Sequence, residues 1–450
     1  MWRTLLRVSL LGTAIIFYTH DVAYGDAFRL PYQGTAAAGQ AEAFAAQADD
    51  PSALFYNPAG LTQVRRLQIY AGTNLVGGDV TFTSPTGAAV RGDLGGSVAF
   101  PPPSHFYITA NLKDLGFHAL GRMTVGLGLN SPYGLNVRYP NDGPFSTAVT
   151  SANLPLLDIK PTLAYKITDM FSIGLGADIY TFASFIGQGH FELKSNLAPG
   201  VSTELNGGGT TAGFNASALF TPLRNADGKP LVNLGIVYRS QAILPLQGQF
   251  LVNGAVAADA KTTVVLPQVL TGAIAIWPIR DQTREWKLEY DMDFVGWNAF
   301  RSLDVRLSNG TFTQTPANWK TIYSLSLGTE YKWLALESLP SWEIALRGGY
   351  QLSHTPIPAS TFNPAIPDAN WHIFAVGLGL LCKEQGRFLG FMNCGTSESG
   401  FMAMKAIGLD LAFEAAVFED RAISGNINPS VNGTYETTLY IGSASLRLMF

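Results

Sequence analysis

The chain has 450 residues and a formal net charge of −4; 47% are hydrophobic, 12% aromatic and only 14% charged, with 47 Gly and 25 Pro. Charged residues fall well short of the quarter usual in soluble domains, yet no run reaches the eighteen or so uninterrupted apolar residues of a membrane helix. Mean hydropathy of +0.15 fits apolar residues at alternate positions, no basic footprint recommends nucleic acid as a partner, and no linker divides the chain into smaller domains.

The first twenty-five residues read as a secretory signal: Arg3 and Arg7 form a positive end, Leu10–Tyr18 an apolar core, and Ala23-Tyr24-Gly25 a small-residue cleavage site. The mature chain is then expected to begin at Asp26, and losing Arg3, Arg7 and Asp21 takes the formal charge from −4 to −5. Residues 26–64 follow. They are rich in Ala and Gly, contain Asn57-Pro58-Ala59-Gly60, and lack period-two alternation. A compact non-strand segment ahead of a long run of two-faced strands predicts a plug inside a barrel, although Asn57-Pro58 can also be read as a simple turn.

From residue 65 onward the chain sorts by parity. In Glu285–Phe294 the even positions Trp286, Leu288, Tyr290, Met292 and Phe294 are apolar, whereas the odd positions Glu285, Lys287, Glu289, Asp291 and Asp293 are all charged. Trp319–Trp333, Trp342–Leu352, Leu157–Ile167 and Ile407–Val417 repeat the pattern. Weaker segments lie near Leu67–Val76, His105–Leu112, Met123–Asn130, Phe171–Ile186, Thr211–Phe220, Val232–Leu246, Thr263–Trp277, Trp371–Leu380 and Tyr435–Phe450. About fourteen strands of this kind predict an all-β transmembrane antiparallel barrel over residues 65–450. Trp286, Trp297, Trp319, Trp333, Trp342 and Trp371 at strand ends predict the aromatic belt at the lipid–water boundary.

The connections fall into two classes. Thr168-Asp169-Met170 and Asp281-Gln282-Thr283 are short. Gly77–Pro103, Ser131–Pro155, Gly187–Gly209, Ser302–Ala317, His354–Asn370 and Asp420–Thr434 are long. Short turns at one end and long loops at the other mark the outer-membrane kind. Lys383–Met404 is long where a short turn is due. The two cysteines, Cys382 just before it and Cys394 within it, predict a disulfide-stapled periplasmic turn. The final strand alternates through Gly442, Ala444, Leu446, Leu448 and Phe450, and a terminal Phe there resembles the recognition signal of bacterial outer-membrane barrels.

Phe28, Gly39, Asp49-Asp50 and Asn57-Pro58-Ala59, followed by Ser131-Pro132-Tyr133-Gly134, His354-Thr355-Pro356-Ile357-Pro358 and Ile366-Pro367-Asp368, resemble in order and spacing the FadL/TodX family of outer-membrane transporters for hydrophobic compounds. The resemblance implies a fourteen-stranded monomeric barrel in the outer membrane of a Gram-negative bacterium. It further implies a hatch at Phe28, Asn57, Pro58 and Ala59, an apolar pocket, and contact with outer-membrane lipid and lipopolysaccharide. Pro132 cannot donate a ladder hydrogen bond and Gly126, Gly128 and Gly134 soften the strand around it. Asn130, Ser131, Pro132, Tyr133 and Gly134 are therefore expected to interrupt the third strand beside Asn57-Pro58-Ala59 and form a lateral opening, unless Pro132 merely starts the next loop.

Fatty-acid members of the family use inward basic groups, but Ile179–Phe185 has no Lys or Arg, which leaves neutral hydrocarbons open. Lys160, Arg239, Lys287 and Arg347 face inward by parity and are expected to serve lumen ion pairs more than cargo. Phe28, Leu30 and Phe44 are candidates to line the pocket or to pack the hatch. No cofactor or metal is expected: the six His are scattered, and neither Gly-x-Ser-x-Gly nor a phosphate-binding loop is present. Passive passage of fatty acids or hydrocarbons is the leading expectation. A diffusive porin for polar solutes and a surface adhesin or structural barrel are the alternatives.

Overall fold

A computed structural model describes residues 26–94, 102–183, 189–396 and 403–450; the expected leader at 1–25 and the end of the expected Phe171–Ile186 strand lie outside these residues. Fourteen antiparallel strands form a closed barrel among them. The first (Leu67–Thr83) closes the ring against the fourteenth (Gly433–Met449). The second runs in two pieces, Ala89–Asp93 and Ser104–Asn111, and so does the third, Met123–Asn130 and Gly134–Arg138. The fourth to eighth are Ser151–Lys166, Phe171–Phe182, Thr211–Arg224, Pro230–Arg239 and Val269–Arg280. The ninth to thirteenth are Arg284–Val295, Ile322–Trp333, Trp342–Ser353, Trp371–Lys383 and Ala406–Phe418.

Parity decides which way each side chain points, because successive strand residues project to opposite faces. In the ninth strand Leu288, Tyr290, Met292 and Phe294 are exposed on the outside, while Glu285, Lys287, Glu289 and Asp291 are buried inside. The barrel is thus inverted relative to a soluble protein, with apolar side chains outward and charges inward.

Two expectations are corrected by the fold. Val232–Leu246 is not one strand: the seventh barrel strand stops at Arg239, and Ala242–Val252 belongs to a different ladder. The long loops also carry strands of their own. Hairpins Phe191–Ala198/Val201–Gly207, Ala242–Val252/Ala255–Leu266 and Ser302–Leu307/Phe312–Pro316 pair side by side and continue the wall beyond the barrel. Finally, Trp297, Trp319 and Trp371 are buried inside and do not join an outer belt. Asn318 takes a positive φ of 49° and the tenth strand starts only at Ile322, so the parity that places Tyr323 outside does not extend back to Trp319.

Residues 26–64 fill the lumen. They form short helices at Thr35–Ala38 and Ala53–Tyr56 and a 3-10 turn at Pro58–Gln63, with nearly every side chain buried. Small residues allow this backbone to press on the wall. A Cβ on Gly174 of the fifth strand would lie 2.4 Å from the Ala59 nitrogen, and one on Gly349 of the eleventh would lie 2.2 Å from the Gln40 carbonyl carbon.

Candidate functional site: a cavity through the barrel wall

The third strand stops at Asn130 and restarts at Gly134, and the backbone between them bonds to the N-terminal segment in place of a neighbouring strand. The Leu30 amide donates to the Pro132 carbonyl (2.8 Å) and the Gly134 amide to the Phe28 carbonyl (3.0 Å). Arg29 and Tyr133 form a β-bridge. The Gln33 side chain spans the gap: its amide donates to the Ser131 carbonyl, and its carbonyl accepts from the Asn130 side chain (3.2 Å) and the Ser131 amide (3.1 Å). The residues beside the break are therefore Phe28–Gln33.

Asn57-Pro58-Ala59 sit elsewhere, which corrects the expected adjacency. The Asn57 side chain donates to the Ala45 carbonyl (2.7 Å) and accepts from the Ala59 amide, which also donates to Ser217 Oγ; Pro58 and Ala59 press on Gly174. These contacts lie on the fifth to seventh strands. The Asn-Pro turn interlocks the segment with the wall, while the splice at the break is made by residues nearer the mature N-terminus.

A cavity of about 580 Å³ lies at the break, within the range typical of small-molecule sites. Leu30, Tyr32, Val76 and Trp371 line it from the lumen, whereas Phe106, Leu129 and Leu157 line it from the outer face. Phe106 is 42% and Leu129 36% exposed; they stand opposite each other in the register on the same outward face. Residues of both faces of the wall thus line one cavity at the break. Its lining includes one cation with two carboxylate partners. Arg29 is ion-paired to Asp26 at 2.7 Å and to Asp293. Burial pushes the Asp26 carboxyl up to about 6 despite the guanidinium beside it. Burial likewise raises Asp368, another lining residue, to about 7 against the lowering effects of Thr355 and Arg421.

The four inward basic residues stand away from this cavity in lumen ion pairs. Lys160 lies between Asp158 (3.1 Å) and Asp178, and Arg239 is 3.6 Å from Asp178 and donates to the Phe55 carbonyl. Lys287 pairs with Glu289 at 2.7 Å, and Arg347 with Glu330 (2.7 Å) and Asp410 (2.6 Å). Of the apolar candidates, Phe28 packs edge-on against Trp297 at 4.8 Å in a cluster with Phe300, Trp319 and Tyr133, and Phe44 packs on Tyr56; only Leu30 lines the cavity. Cys382 and Cys394 are joined in a disulfide.

Sequence reading missed two features. Gln33 gave no signal, because a single Gln in an Ala-rich stretch is unremarkable until the chain brings residue 131 beside it. The other is a clamp. Asp291 Oδ2 accepts the Phe44 and Ala45 amides (3.0 and 2.9 Å), and Glu289 Oε1 accepts those of Ala46 and Gln47 (2.6 and 3.2 Å). Parity had already pointed both carboxylates inward, but not at what they bind.

Comparison with known proteins agrees with the barrel and its lumen-filling segment. The long-chain fatty acid transport protein of Salmonella typhi is 24% identical over 398 residues, covering 81% of this chain and 86% of that protein. The Escherichia coli K12 protein of the same name is 23% identical over 415 residues, with the same coverages. The crystal structure of a Pseudomonas aeruginosa FadL homologue superposes with a TM-score of 0.72 at 17% identity, covering 94% and 99% of the two chains. That of the Ralstonia pickettii toluene transporter TbuX gives 0.62 at 14%, covering 93% and 98%. Residues 18–388 match the outer membrane protein transport protein family OMPP1/FadL/TodX, so the chain belongs to that family of Gram-negative outer-membrane transport channels, which are not enzymes.

Proposed function

We propose that this channel carries uncharged hydrophobic molecules, with residues 26–64 as its hatch and the gap in the third strand as a side exit into the lipid and lipopolysaccharide of the outer membrane. The observation that carries the reading is the cavity lined by both faces of the wall. Its lining runs from Tyr32 and Trp371 to Leu129 and Leu157, a mostly apolar route between lumen and lipid. Apolar burial at about 0.8 kcal/mol per methylene supplies capture. Because Phe28, Leu30 and Gln33 complete the hydrogen bonding of the broken strand, a shift of the hatch and a change at the exit are one event. A single closed barrel holds all these parts, so the reading needs no second copy.

The similar proteins are named for fatty acids and for toluene. Arg29 favours the neutral end of that range here. A carboxylate entering the cavity would meet a guanidinium already shared by Asp26 and Asp293, and would add a like charge in a poorly solvated site.

The test is uptake of labelled toluene, hexadecanol and palmitate by cells lacking their own transporter. Leu129→Trp with Leu157→Trp fills the outer mouth and leaves the lumen untouched. We expect uptake of the neutral compounds to fall about tenfold, equivalent to roughly 1.4 kcal/mol of added barrier, with barrel assembly intact. Unchanged uptake would exclude the side exit. Faster uptake of palmitate than of hexadecanol at pH 8 would exclude the preference for uncharged cargo.

A further inference from the structure

The stapled turn after the twelfth strand does not hang below the barrel. Trp342, Cys382, Ile407 and Leu448 stand in register across four neighbouring strands. They share the outward face with Leu346, Leu411 and Leu446, all exposed along the same strands. Yet Cys382 and Ile407 are fully covered. What covers them is the turn itself. The disulfide draws Cys394 back onto Cys382, the Cys394 amide donates to the Gly386 carbonyl (3.0 Å), and the Phe388 ring stacks on Trp342 at 6.2 Å. The hairpin Arg387–Phe388/Met392–Asn393 is thereby folded outward, onto the lipid-facing side of the barrel at its short-turn rim.

Its tip is apolar and unburied: Leu389 is 70%, Phe391 74% and Met392 44% exposed. Two bulky side chains and a methionine held open on a cross-linked hairpin would be a poor surface in water. Among the described residues of the turn, the charges stand on either side of the tip in sequence. Lys383 pairs with Glu343 and Lys405 with Glu384, and Arg387 is exposed at the base of the hairpin. Apolar tip, cationic base and a stacked Trp–Phe pair at one level form the arrangement of an interfacial anchor.

We propose that this hairpin is a lipid-inserted finger, its Leu389–Met392 tip seated among the acyl chains of inner-leaflet phospholipid and Arg387 at the level of the phosphates. The occupant is lipid and not a periplasmic protein, because the tip is continuous with the lipid-facing row it covers.

The full-length barrel is reconstituted in phosphatidylethanolamine/phosphatidylglycerol vesicles with p-trifluoromethylphenylalanine in place of Phe391. Its fluorine line is then read against two relaxation agents, a nitroxide near the top of the lipid acyl chain and a gadolinium chelate in the water. Phe374, outward on the twelfth strand, is the lipid control; Phe312, exposed at the opposite rim, is the water control. The lipid nitroxide should broaden the Phe391 line roughly fivefold more than gadolinium does, as expected for a group about 5–10 Å below the headgroups. Substitution at Met392 repeats the measurement should the first site disturb the hairpin. A line broadened mainly by gadolinium, as for Phe312, overturns the proposal. So does a line that neither agent reaches, since that would mean protein covers the tip.

Discussion

Removing the Asp291 carboxylate should loosen the hatch at one defined place. Asp291 Oδ2 is the acceptor for two consecutive hatch amides, Phe44 at 3.0 Å and Ala45 at 2.9 Å. Hydrogen bonds to charged groups contribute about 1.5–3 kcal/mol each, and buried donors left without acceptors cost a similar amount. Burying the carboxylate is itself unfavourable, which offsets part of that gain. Taking the low end for both bonds gives a net loss of about 3 kcal/mol in Asp291→Ala, or more than a hundredfold in the local opening equilibrium at 1.4 kcal/mol per decade. Asp291→Asn keeps an acceptor oxygen in place and should lose no more than half as much. Amide hydrogen exchange of the peptide covering residues 42–48, measured on the barrel in vesicles, reads this directly. Planar-bilayer conductance reads its consequence, since a displaced hatch leaves an aqueous lumen. Equal protection of that peptide in the wild type and Asp291→Ala would refute the clamp, as would equal losses in the Ala and Asn variants.

Two further outcomes follow from charges elsewhere. Asp26 and Asp368 have carboxyls raised to about 6 and about 7 by burial, so acidification from pH 8 to pH 5 neutralises two groups in the cavity wall. A permanently anionic probe such as decyl sulfate should then bind more tightly as pH falls through that window, while decanol affinity stays flat; titration calorimetry at several pH values checks both. The same shifts fix the sign for stability. The folded state holds these protons more tightly than the unfolded one, so docking of residue 26 against the loop at 368 strengthens as pH falls from about 7 to about 4. In the lumen, Lys160→Met strands buried Asp158, paired at 3.1 Å, whereas Asp178 keeps Arg239 at 3.6 Å, and should cost about 3–5 kcal/mol in urea unfolding. Adding Asp158→Leu removes the orphaned charge and should restore most of that loss. A single variant as stable as the parent would show the pair to be dispensable.

How much was legible in the chain depends on whether a feature is local. Strand direction was legible because parity is a property of two neighbouring residues: Lys287 and Leu288 announce opposite faces wherever the ninth strand sits. The strand break was also open to local reading, since Pro132 lacks the donor a ladder requires. The failures come where locality ends. Trp319 reads as belt because it opens the alternating run Trp319–Trp333, but the strand itself starts only at Ile322, after Asn318 at positive φ has turned the chain. The cavity joins Leu30, Phe106, Leu157 and Leu439, and no spacing within one sequence links those positions.

The misplaced Asn57-Pro58-Ala59 is the more instructive error. A conspicuous turn motif near the end of the hatch was matched to a conspicuous motif in the third strand. The turn is conspicuous because it must hold a fixed shape against Gly174 and Ser217. What completes the broken strand is ordinary backbone at Phe28–Leu30 and one Gln, which need no special residue type to make ladder bonds. Anchoring demands distinctive chemistry and leaves a mark in the sequence, whereas a backbone splice uses hydrogen bonds any residue can supply. The part of the N-terminal segment closest to the strand break is therefore the part a sequence is least able to advertise.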